Sequence, residues 1–107
     1  MSEYYDRQGK PLTLFQWAAL VEDVEYKRVA YDELVGPEGL IRISTIWLGL
    51  DYSFDYRSEH IPIIFETMIF GWDFNELECW RYPTEEAALA GHDQIVAYVK
   101  DHTRSEH

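Results

Sequence analysis

Between residues 40 and 48 the side chains alternate, with Ile41, Ile43, Thr45 and Trp47 on one parity and Arg42, Ser44 and Ile46 on the other. A period of two marks a strand with one covered face, and it predicts that the odd-numbered set faces the core. Residues 27–34 read as a second strand, and Gly36-Pro37-Glu38-Gly39 between them supplies hairpin turn chemistry. Residues 61–70 are apolar on both parities, with Ile61, Ile63, Phe65 and Ile69 on one and Ile64, Met68 and Phe70 on the other, as suits a central strand. A fourth strand over 77–82 follows a short link containing Gly71, which favours an antiparallel neighbour, and Pro83 ends it.

Two segments change period. Thr13-Leu14-Phe15-Gln16 matches a capping box, and Leu14, Trp17, Ala18 and Val21 then recur at helical spacing, which predicts a short helix with that stripe inward. Thr84 reads as an N-cap, with Glu85 and Glu86 in the first turn where the positive helix end favours carboxylates. The long helix it opens should run to about Lys100, with Ala88, Leu89, His92, Ile95, Val96 and Val99 inward and Asp93, Gln94 and Lys100 outward. Gly91 inside that helix costs up to ~1 kcal/mol relative to Ala, which points to close approach of another backbone. Tyr4-Tyr5-Asp6 reads as a short opening strand that ends at a turn around Gln8-Gly9-Lys10-Pro11. The expected fold is α+β: a four-stranded antiparallel meander sheet with a short N-terminal and a long C-terminal helix packed on one face.

A chain of 107 residues holds one core, so residues 1–100 are expected to form a single domain. Residues 101–107 carry no large apolar group and are expected to form a flexible tail. Twenty acids against nine bases give a formal charge of −11, which opposes direct binding to nucleic acid and favours a protein partner with a basic surface. The apolar runs at 43–50 and 61–65 fall far short of the ~20 residues of a membrane span, and residues 1–6 do not read as a secretory signal. A cytoplasmic location is the expectation, that of the host cell if the chain is phage-encoded. Cys79 is the only cysteine, so no intrachain disulfide forms, and no metal or cofactor is expected. As a strand cysteine, Cys79 is expected to be buried.

Candidate chemistry is sparse. The link over 49–60 mixes Tyr52, Phe54 and Tyr56 with Asp51, Asp55 and Glu59, residue types that anchor interfaces, and it is the first candidate for a contact surface. Rings folded back onto the sheet edge would explain the same composition. Glu66 lies in the most apolar strand and needs a partner; His92, on the apolar stripe of the second helix, is the sequence candidate. A Glu66–His92 pair is the weak catalytic candidate, as acid and base. The blander alternatives are a Glu66 facing solvent on a half-covered sheet, or a structural hydrogen bond. The nucleophile elbow, phosphate loop, dinucleotide fingerprint and zinc-helix motifs are all missing.

The strings Ser44-Thr45-Ile46-Trp47-Leu48-Gly49-Leu50-Asp51 and Phe65-Glu66-Thr67-Met68-Ile69-Phe70-Gly71, followed by Arg81-Tyr82-Pro83-Thr84-Glu85-Glu86-Ala87-Ala88-Leu89-Ala90-Gly91-His92, resemble a group of small uncharacterised phage and prophage proteins. The resemblance covers roughly residues 5–99 and carries no known activity. It implies a mobile-element setting in which a small acidic protein binds and blocks a host factor. The leading expectation is a non-catalytic binding protein, inhibiting a nucleic-acid or defence enzyme by surface mimicry. The alternatives are a small enzyme using Glu66 and His92, and an assembly protein that self-associates by a sheet edge.

Overall fold

The computed structural model describes residues 3–37, 39–51, 61–71 and 79–104. In chain order the elements are β1 (Tyr4–Tyr5), β2 (Pro11–Leu12), α1 (Leu14–Val21), α2 (Val24–Lys27), β3 (Arg28–Gly36), β4 (Gly39–Trp47), β5 (Phe65–Phe70), β6 (Cys79–Tyr82) and α3 (Glu85–Arg104). Strands β3 to β6 pair in sequence order as a four-stranded antiparallel meander, and β1 and β2 form a separate small hairpin. Helix α3 lies across one face of the large sheet and contacts all four of its strands.

The alternation in β4 is obeyed. Ile41, Ile43, Thr45 and Trp47 are buried, and the register sets Trp47 opposite Phe65, Thr45 opposite Thr67 and Ile43 opposite Ile69. Inner-face side chains therefore meet their like directly across the ladder, the arrangement that rewards cross-strand pairs. Two apolar clusters result. One joins Ile41, Ile43 and Ile69 to Ile95 and Val99 of α3; the other gathers Trp47, Ile64, Phe65 and Ala88. Each buried Ile, Val or Phe side chain contributes roughly 1.5–3 kcal/mol relative to exposure.

The N-terminal segment closes the Trp47 end of the core. The capping box forms: the Gln16 N–H donates to Thr13 Oγ1 at 3.2 Å, and the Thr13 N–H donates to Gln16 Oε1 at 2.9 Å. Trp17, Leu20 and Val21 of α1 pack against the Trp47 cluster, so both longer helices share the inner side of the sheet. The indole N–H of Trp47 donates to the Tyr5 carbonyl at 2.9 Å, that of Trp17 to the Leu48 carbonyl at 3.1 Å, and the Tyr26 ring stands edge-on to Trp47. Arg7 ties three elements together, through an ion pair with Glu85 at the start of α3 and through bonds to the carbonyl and hydroxyl of Tyr26. Gly49 sits between Trp17 and Trp47 at φ 76°, where a Cβ would be strained and would collide with both indoles.

Several expectations change. Leu14 is 51% exposed and Leu89 42% exposed; the inward stripe of α1 is Trp17, Leu20 and Val21 instead. Strand β5 begins at Phe65, because Pro62 has no N–H to donate and the Ile63 N–H is taken by the Asp51 carboxylate at 3.0 Å. The short α2 was not anticipated, although Asp23 caps it by accepting from the Tyr26 N–H at 3.2 Å. Helix α3 continues past Lys100 to Arg104, stabilised by a Tyr98–His102 ring contact and by Thr103 Oγ1 donating to the Lys100 carbonyl. What approaches Gly91 is the ring of Tyr82, a side chain and not a backbone.

Gly91→Ala gains helix propensity worth up to ~1 kcal/mol but forces the Tyr82 ring off the helix, an overpacking cost of about 1–3 kcal/mol. A net loss in the urea midpoint is expected, and the loss caused by Gly91→Ala should be smaller when measured in a chain that already carries Tyr82→Val. A loss of equal size in both backgrounds would contradict the contact.

Candidate functional site

Between the two apolar clusters lies a layer of polar groups in the core. His92 of α3 is 2% exposed, and Thr45 and Thr67 are fully enclosed. The Thr45 hydroxyl lies 2.7 Å from His92 Nδ1 and 2.5 Å from the Thr67 hydroxyl, and His92 Nε2 lies 2.7 Å from Asp32 Oδ2. A chain of hydrogen bonds thus runs from Thr67 through Thr45 and the imidazole to a carboxylate on β3, and the Asp32 side chain is 51% exposed.

The donor assignment follows from chemistry. A carboxylate only accepts, so Nε2 carries the proton facing Asp32, and in the neutral ring Nδ1 accepts from the Thr45 hydroxyl. Among the described residues no buried side-chain nitrogen or oxygen lacks a partner. Burial pushes the Tyr82 phenol above its usual value, and the nearby Thr67 hydroxyl offsets part of that rise. Burial also raises Tyr5, with the Asp51 carboxylate adding to it. Asp, His and Thr in this order are the residue types of an acid–base–nucleophile array. Here the hydroxyl in the nucleophile's place is fully enclosed between sheet and helix.

Glu66 and His92 are not brought together. Thr67 points inward to the polar layer, so strand alternation sends Glu66 to the opposite face, where Arg81 Nε donates to its Oε2 at 3.0 Å. The partner that Glu66 requires is this guanidinium, which replaces the expected acid–base pair. Asp51 serves the fold: its carboxylate accepts from the Ile63 N–H and so joins the two described ends flanking residues 52–60. Tyr52, Phe54, Asp55, Tyr56 and Glu59, the remaining residues of the expected contact surface, lie outside the described residues. Cys79 is half-buried on the outer face opposite Met68; burial raises its thiol, and the nearby Glu66 carboxylate raises it further, which leaves little thiolate for reaction.

The chain matches no family model, no curated protein and no solved structure. Among the described residues no helix is long and apolar enough to cross a membrane, and no three His, Cys, Asp or Glu side chains converge as a metal site. Sequence reasoning missed Asp32, Thr45 and Thr67 as partners of His92, Thr67 by way of Thr45. Part of the signal was present, since Thr45 and His92 are polar residues at positions that the apolar patterns turn inward, and such groups require partners.

Thr45→Val removes the hydroxyl shared by His92 and Thr67 and leaves buried groups unpaired, so chemical denaturation should show a loss of about 1–3 kcal/mol. Replacing Thr45, Thr67 and His92 together by Val, Val and Leu removes the unpaired groups as well, and should cost less than the single change. Alkaline pH should also weaken the fold. Tyr5 and Tyr82 hold their protons more tightly when folded, so the stability they contribute is complete below the unfolded tyrosine value of about 10 and is lost as pH rises through the folded values. Urea midpoints measured between about pH 8 and pH 11 should fall, and Tyr82→Phe should flatten the fall.

Proposed function

We propose that this chain acts by binding and not by catalysis, with its acidic surface receiving a protein partner that presents Lys and Arg. The observation that carries the reading is where the charge sits. Glu22, Asp23, Glu25, Glu86, Asp93 and Asp101 are exposed on or beside helices that are capped or packed against the core. A net charge of −11 displayed from a fixed scaffold steers basic surfaces toward it and repels phosphate backbones. The resemblance to small phage proteins supports a setting in which such a surface occupies a host factor, a nucleic-acid or defence enzyme included.

Proteins retained from bacterial lysate by the immobilised chain should be basic. Their retention should fall steeply as ionic strength rises from about 0.01 M to about 0.15 M, where the Debye length shrinks from about 30 Å to about 8 Å. Glu66→Gln should leave retention unchanged. Retention of nothing at low ionic strength, or retention indifferent to salt, counts against the proposal.

A further inference from the structure

Seven of the eight residues of α1 are apolar, Gln16 being the exception, yet none of the eight is buried. Trp17, Leu20 and Val21 account for the face turned to the Trp47 cluster. Helical geometry then places Phe15 and Ala19 on the other side with Ala18 flanking them, and Phe15 is 84% exposed; Leu14, on the first turn at the edge of the packed face, is 51% exposed. Val24, 67% exposed, follows at the head of α2. A surface helix ordinarily carries polar residues on its outer side, and one that is apolar all round is ordinarily enclosed. Neither condition holds for α1, so among the described residues its outer face is unpartnered.

Charge decides among the occupants. Glu22, Asp23 and Glu25 follow this face directly and are all exposed; Lys27 closes α2 half-buried, and Lys10 belongs to the β1–β2 turn. A twofold contact with a second copy sets the same patch against itself and brings these acids together. An anionic membrane surface repels them, as does a phosphate backbone. We propose that the outer face of α1, extended by Val24, docks a partner protein whose apolar side chains are flanked by Lys and Arg. The proposal rests on the binding reading above and adds where the partner sits.

The test uses the full chain and a synthetic amphipathic peptide with Leu on one helical face and Lys on the other. Two control peptides carry Glu for Lys or Ser for Leu. The Leu–Lys peptide should shift backbone amide signals of α1 and α2, and Phe15→Ser should weaken its binding roughly thirtyfold or more, as for a buried aromatic anchor. Leu14→Ser should weaken it in the same direction, with thermal stability of both variants unchanged because both side chains face solvent. Shifts that map elsewhere, with both variants binding as wild type, overturn the α1 site and leave the acidic-binding reading standing. Equal binding of the Leu–Glu peptide, indifferent to salt, overturns the basic-partner chemistry and the binding reading with it. Concentration-dependent dimerisation that Phe15→Ser abolishes assigns the face to a second copy and overturns the proposal.

Discussion

Three polar side chains in the middle of the core, Thr45, Thr67 and His92, set the conditions that the rest of the fold meets. Each would be costly to bury alone, and together they are satisfied only when β4, β5 and α3 stand in one relative position. A one-residue slip of β5 against β4 would turn Thr67 outward and bring Glu66 or Met68 under the helix. The apolar clusters on either side favour burial without being selective, since Ile, Val and Leu tolerate many neighbours. The hydrogen-bonded layer discriminates between alternatives that the apolar clusters would accept, and Asp32 extends it to the edge strand β3.

That same layer is closed to solvent except at Asp32. Both nitrogens of the core imidazole are engaged, the threonine beside it is sealed, and the carboxylate expected to join it is paired with Arg81 across the sheet. Accessible among the described residues are exposed carboxylates and several apolar side chains, those on the outer side of α1 included. Those carried by helices sit on elements fixed by caps and by packing, with Arg7 linking the first turn, α2 and the start of α3. A rigid presentation reduces the ordering cost of association, which favours binding by preformed surfaces.

Much of the fold was legible because strand alternation is a strong signal wherever one face is covered. The odd parity of β4, the antiparallel pairing of β3 with β4 closed by Gly36 and Gly39, and the capping box at Thr13 all appear as read. The site was less legible. In β5 both parities are apolar, so the sequence left open whether Glu66 meets His92 or lies on the open side of the sheet, and the second alternative is the one seen, with Arg81 as its partner. In α1 nearly every residue is apolar, so more than one stripe fits the helical period, and the one containing Leu14 is not the one buried. Asp32 was out of reach for a different reason: its approach to His92 depends on the register of β3 against β4, including the shift between Arg28 and Ala30, and on the position of a helix about sixty residues away in sequence.

The claim that the fold is organised around a sealed, fully bonded histidine is tested most directly by long-range proton–nitrogen NMR of the His92 ring in the intact chain. The account predicts a sharp Nε2–H signal protected from exchange with water, together with a slowly exchanging Thr45 hydroxyl proton. A ring proton that exchanges as fast as that of free imidazole, with no visible hydroxyl signal, would contradict it.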